Sequence, residues 1–92
     1  MQNAAEPMVW LAPDDAKTAR DAGRGFARAL SGAPPEWFLL ALGEQEIIIR
    51  EGIERAGHPA CEADLAAEAF DSGARDEWRR IACTMAAVQG NA

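Results

Sequence analysis

The chain has few of the side chains that enzymes use for catalysis. It contains one histidine, two cysteines, two serines, two threonines and no tyrosine in 92 residues. Nucleophilic catalysis requires a nucleophile beside a base within a pocket, and so short a chain leaves little room for one. We therefore expect a protein that is not an enzyme, with no catalytic residues and no cofactor.

The usual pattern of a metal site is also missing. His58, Cys61, Cys83 and an acid such as Glu54 could supply four ligands. Zinc signatures contain two closely spaced ligand pairs, however, and here Cys83 stands alone. The sequence therefore predicts no metal site. It places the histidine on the surface of a turn and two reduced cysteines in the core.

Positive charge is scarce as well. Nine lysines and arginines face fifteen acids, which gives a formal net charge of −6. Because such a chain repels phosphate, nucleic acid is not the expected partner. No apolar run approaches the roughly 18 residues of a membrane span, and the first residues lack the basic region of a signal peptide. We therefore expect a cytoplasmic protein that does not bind membranes.

Alanine is abundant and apolar residues recur at helical spacing, so we expect an all-α single domain over residues 1–92, a small bundle of about four helices. Local start and stop signals place these helices at 13–30, 35–56, 60–71 and 72–90. The last break is placed at Ser72, a favoured N-cap residue followed by Gly73. A buried strand through 46–50 is the main alternative, because short apolar runs are ambiguous in period.

Residues 1–12 are expected to form an N-terminal tail with an apolar segment, Met-Val-Trp-Leu, at residues 8–11. Large apolar patches are rarely left in water. We therefore expect the segment to fold back onto the bundle, with a role as a partner-binding hook as the alternative.

The second helix has apolar side chains pointing in nearly every direction, at residues 37–42 and again at 47–49. A helix that buries only one face does not need such a pattern. It is expected either at the centre of a small core or against another chain, including a second copy in a homodimer. The residues expected in the core or in an interface are Trp37, Leu40, Ile48, Leu65, Trp78, Ile81 and Met85.

Small size, acidic charge and surplus apolar surface suggest a regulator or inhibitor that binds another protein. One specific hypothesis is a phage- or plasmid-type inhibitor whose acidic face blocks a nucleic-acid-binding site on its target. The acidic residues expected to bind the partner are Glu44, Glu51, Glu54, Glu62, Asp64 and Glu68. The apolar residues expected to bind it are Trp10, Trp37, Phe38 and Ile47.

The alternative function is a helix-turn-helix-like DNA-binding transcriptional regulator that uses residues 60–88, with three arginines on its second helix. The acidity of the neighbouring residues opposes this function. Paired carboxylates at 44/46, 51/54 and 76/77 alternate with arginines one helical turn away. We therefore expect them on solvated faces rather than in acid–base chemistry, with Asp76 paired to Arg80.

Overall fold

The computed structural model describes the backbone of residues 13–90 and the side chains of residues 16–87. Within this range the chain is all-α and contains no strand. Its helices are α1 (Pro13–Ala29), α2 (Pro35–Arg55) and α3 (Ala60–Gly90). The all-α prediction is confirmed, whereas the count of four is wrong because 60–71 and 72–90 form one helix. The apolar segment at 8–11 lies outside the described residues.

The boundaries of α2 follow from local backbone chemistry. Pro34 is extended and Pro35 occupies the first turn, where a missing N–H costs nothing. At the other end Gly57 has a φ of 106°, a conformation that side chains disfavour. Gly57 N–H donates to Glu54 O at 3.0 Å, and His58 N–H donates to Ile53 O at 3.2 Å. This pair of bonds is the Schellman arrangement that ends many helices.

α3 continues through Ser72 and Gly73, where a helix boundary is expected from the sequence. Gly73 faces the backbone of α1: a Cβ there would lie 2.8 Å from the carbonyl carbon of Arg20. Gly23 makes the reciprocal contact, since its Cβ would lie 2.8 Å from the backbone nitrogen of Ala74. The glycine therefore allows α1 and α3 to touch and does not mark a turn, which corrects the prediction of a cap at Ser72.

α1 and α2 both pack on α3. Arg20 of α1 lies against Gly73 of α3, and further along both helices Arg28 bonds to Glu77. α1 and α3 therefore run parallel, whereas the short turn after α2 makes α2 and α3 antiparallel. No helix in the described part of the chain is both long enough and apolar enough to cross a membrane.

The core consists of two clusters around α3. The larger one contains Phe38 stacked on Trp78, with ring centroids 4.1 Å apart and planes 7° from parallel. Its buried members are Ala27, Phe38, Leu42, Phe70 and Ala74. The second cluster contains Ile53, Ala63 and Ala66. Alanines on α3 thus bring the neighbouring helices close to its axis.

Most of the residues predicted to lie in the core or in an interface are on the surface of this chain. Trp37, Leu40, Ile48, Leu65 and Met85 are all exposed, while Trp78 and Ile81 are half-buried. Small side chains occupy the interior of α3 instead, and no residue from 16 to 87 covers the large side chains on the other faces. Cys61 and Cys83 are exposed free thiols, so their predicted place in the core is wrong.

Candidate protein-interaction surface

The side of α2 that faces away from α3 is predominantly apolar. We call it the outer face of α2; it comprises Trp37, Leu40, Glu44, Ile47, Ile48 and Glu51. At 3.6 residues per turn these positions share one side of the helix, nearly opposite the buried Phe38, Leu42 and Ile53. Its apolar members expose 68%, 70%, 53% and 59% of their surface in chain order. α2 therefore has two apolar faces, and the described part of the chain covers only one of them.

Two of the predicted apolar binding residues lie on this face and one does not. Trp37 and Ile47 are exposed on the outer face of α2. Phe38 is 1% exposed because it lies between α2 and α3 in the core. Its prediction as a partner-binding residue is therefore corrected: it is not accessible in this fold. Trp10 lies outside the described residues.

The six predicted acidic binding residues do not form one face. Glu44 and Glu51 lie among the apolar residues of the outer face of α2, seven positions apart. Asp64 accepts a hydrogen bond from Arg50 Nε at 3.0 Å, and Glu62 bonds to His58. Four of these six acids form no ion pair with any residue from 16 to 87: Glu44, Glu51, Glu54 and Glu68.

A carboxyl pair joins α2 to α3 on the side of α2 that lies away from the outer face. Arg75 Nε donates to both oxygens of Asp71, at 2.8 and 3.0 Å. Burial raises the pKa of Glu46 to about 7, together with its hydrogen bond to Asp71 and the charge of that carboxylate. Burial alone would raise the pKa of Asp71, but hydrogen bonds from Glu46 and Arg75 lower it below its usual value. Glu46 is therefore not the solvated carboxylate expected from the sequence.

This pair makes stability depend on pH in a defined direction. The pKa of Glu46 is raised from 4.5 to about 7 on folding, so the folded chain holds a proton that the unfolded chain releases. We expect the free energy of unfolding to fall between pH 4.5 and 7 and then level off. A shift of this size corresponds to at most about 3 kcal/mol. Urea unfolding of the native chain at several pH values measures this slope.

Glu46→Gln keeps a hydrogen-bond donor for Asp71 and removes the titrating proton, so we expect it to flatten the slope. Glu44→Gln is the matched control, because Glu44 is exposed on the same helix two residues before Glu46. The control should keep the native slope. An unchanged slope in Glu46→Gln would show that the carboxyl pair does not set the pH dependence.

Glu77 is buried and holds α1 against α3. It accepts a bond from Arg28 at 3.1 Å and two from Arg80, at 3.1 and 2.5 Å. The bonds from Arg80, followed by that from Arg28, lower the pKa of Glu77 to about 2 against the opposing effect of burial. Its contribution to stability is thus lost only as pH falls from 4.5 towards 2. The predicted solvated position of Glu77 is wrong, and Asp76 pairs with Arg79 instead of Arg80.

His58 is buried, which corrects its predicted position on the surface of a turn. Its Nδ1 lies 2.5 Å from Oε1 of Glu62, one turn into α3. Its Nε2 is buried and bonds to no described atom. No group of three His, Cys, Asp or Glu side chains within the described residues could hold a metal ion. Because His58 is buried and contacts Glu62 at the start of α3, this contact holds the turn between α2 and α3 in place.

The arginines of the predicted DNA-binding helix are paired within α3. Arg75 bonds to Asp71, and Arg79 and Arg80 bond to acids three positions earlier. The continuous α3 also lacks the turn that a helix-turn-helix needs between its two helices. The described structure thus offers no geometric support for DNA recognition through residues 60–88.

Comparison of the chain with protein families, curated proteins and solved structures found no match. Its function has to be inferred from its own residues and their geometry.

Proposed function

We propose that this chain is a non-catalytic regulator that binds another protein through the outer face of α2. The observation that carries the proposal is the row of four large apolar side chains exposed on that face. Contiguous exposed apolar surface on a small protein marks interaction sites more often than chance placement does. Trp37 at one end supplies the kind of side chain that dominates binding energy at interfaces.

The two acids on this face define the chemistry of the partner. Glu44 and Glu51 are two helical turns apart, about 10 Å along the axis, and neither pairs with a described residue. A partner segment with apolar residues at helical spacing and two basic side chains at the same separation would match both features. An amphipathic basic helix that lies along α2 is such a segment. We assign this occupant to the face.

A second copy of α2 fits this face less well. Pairing two identical faces would bring Glu44 and Glu51 of both copies into one apolar interface. Like charges that are desolvated together oppose association. The charge pattern therefore favours a different, basic protein as the occupant.

The inhibitor hypothesis is a narrower form of the same proposal. Its partner would be a nucleic-acid-binding protein whose basic surface is blocked by the carboxylates of this chain. The net charge of −6 and the unpaired Glu44 and Glu51 support it. If this form is right, duplex DNA or RNA will compete with the chain for the partner.

Leu40→Ser is the sharpest test of the binding face. We expect the retention of partners from a lysate of the native host to fall at least tenfold, which is about 1.4 kcal/mol of binding free energy. Leu40 is exposed, so its loss should change the stability of the chain by only about 0.5 kcal/mol. Quantitative mass spectrometry of proteins retained by tagged native and variant chains measures the effect, with circular dichroism to check helicity.

Leu65→Ser is the matched control for this test, since Leu65 is a similarly exposed leucine on α3. Glu44→Lys and Glu68→Lys make the corresponding comparison for charge. The partner should be lost with Leu40→Ser and with Glu44→Lys and kept with both control variants. Equal retention by Leu40→Ser and Leu65→Ser would refute the proposed face. Retention that disappears after nuclease treatment would favour nucleic-acid binding instead.

A further inference from the structure

α3 is ten residues longer than α2, with 31 residues against 21. We call residues 81–90 the overhang; it spans about 15 Å beyond the end of the core. Ile81 is half-buried, and every residue from 82 to 87 is exposed. The sequence from 81 to 92 contains no Asp, Glu, Lys or Arg. This uncharged stretch, exposed from residue 82 to residue 87, stands out in a chain that is 26% charged.

A groove lies at the root of the overhang. One wall is the side of α3 that carries Trp78, Ile81 and Met85, and the other is the α1–α2 turn with Ala33 and Pro35. The groove has a volume of about 240 Å³ and its lining is almost entirely apolar. Such a groove can receive apolar side chains from a helix that lies across it.

We propose that the overhang is a homodimer interface in which α3 of a second copy crosses antiparallel to it. Ile81 and Met85 of each copy then enter the groove of the other. This surface is independent of the outer face of α2, and the proposal does not rest on the proposed function. A dimer of this kind presents two copies of the outer face of α2 to partners.

Two observations select a second copy as the occupant. In a twofold dimer a residue near the axis meets its own copy, so a self-associating surface must avoid a dominant charge there. The overhang meets this requirement, whereas the outer face of α2, with Glu44 and Glu51, does not. The overhang also carries Met85, which lines the groove and is 48% exposed. One copy can therefore place Met85 against the groove of the other, as a self-complementary surface requires.

The oligomeric state tests the proposal directly. Light scattering coupled to gel filtration should give twice the chain mass for the native protein. Met85→Glu should raise the dimer dissociation constant at least tenfold, because it puts a charge from each copy into an apolar interface. Ala87→Glu is the control: it adds the same charge to the same helix, but 3.6 residues per turn place Ala87 on the opposite side.

A thiol cross-linking experiment gives a second, independent measurement. By helical spacing Ala82 borders the groove side of α3, while Cys83 lies on the far side. With both native cysteines changed to serine, Ala82→Cys should be cross-linked between copies by a short bifunctional thiol reagent. A chain that keeps only Cys83 should not.

The proposed dimer would be overturned by a monomeric native chain, by equal loss of the dimer in Met85→Glu and Ala87→Glu, or by preferential cross-linking through Cys83. Loss of the dimer in Leu40→Ser would also overturn it, and would show that copies meet through the outer face of α2. If the native chain is monomeric but Leu40→Ser still selectively loses its partners, the proposed dimer is wrong and the proposed function stands.

Discussion

Gly73→Ala is expected to lower the free energy of unfolding by about 3 kcal/mol or more, at the upper end of the effects of overpacking. A Cβ at Gly73 would lie 2.8 Å from the carbonyl carbon and 2.9 Å from the Cα of Arg20. Both are backbone atoms, so the clash cannot be relieved by rotating a side chain. α1 has to move away from α3, which loosens the packing of Ala27 against Phe70 and Ala74.

Gly43→Ala and Gly52→Ala are the matched controls. Both glycines lie inside α2, neither has a positive φ, and a Cβ at either would meet nothing within 4 Å. We expect each control variant to be more stable than the native chain by about 0.5–1 kcal/mol, the usual gain of Ala over Gly in a helix. Urea unfolding of the native chain and the three variants measures these differences in the free energy of unfolding. A stabilised Gly73→Ala would show that α1 and α3 do not touch there.

The contrast between these glycines explains why the helix count was wrong. Ser72-Gly73 has the composition of a helix boundary, and local signals favour a break there. What makes the glycine necessary is Arg20, more than fifty residues earlier in the sequence. A glycine that admits another backbone and a glycine that ends a helix look identical in one sequence. Only the fold distinguishes them.

The ends of α2 could be predicted because their signals are local. Pro35 opens the helix, and Gly57 with Pro59 closes it, as expected. These residues act on the backbone within one turn of themselves. The burial of His58 and Glu77 could not be predicted from local signals. Glu77 binds Arg28 of α1, and His58 contacts Glu62 of the helix that follows it.

The candidate surface was predictable only in part. The apolar residues all round α2 indicated that one side faces the core and that another chain could cover a second side. The side of α2 that faces the core is set by where the alanines of α3 allow α2 to pack. The sequence of α2 alone does not contain that information. The spacing of 37, 40, 44, 47, 48 and 51 is nonetheless a helical stripe, and it is the signal that could have identified the outer face in advance.

Two adjacent aromatic residues, both predicted to bind the partner, are expected to behave in opposite ways. Phe38→Ala should cost about 3–5 kcal/mol of stability, as expected for a large side chain removed from a core. Phe38 is 1% exposed, stacks on Trp78 and has its ring centroid 6.2 Å from that of Phe26. A loss of this size approaches the whole stability of many small domains, so part of the chain should be unfolded without denaturant.

Trp37→Ala provides the comparison, because Trp37 directly precedes Phe38 in the same turn and is largely exposed. Its effect on stability should stay within about 0.5 kcal/mol, while partner retention should fall as for Leu40→Ser. Urea unfolding followed by circular dichroism avoids the change in fluorescence that loss of a tryptophan brings. Together, Phe38→Ala and Trp37→Ala show which side of α2 faces the core. Both the core and the proposed binding face depend on that orientation. Equal destabilisation by the two variants would mean that the outer face is not free, and the proposed function would fail with it.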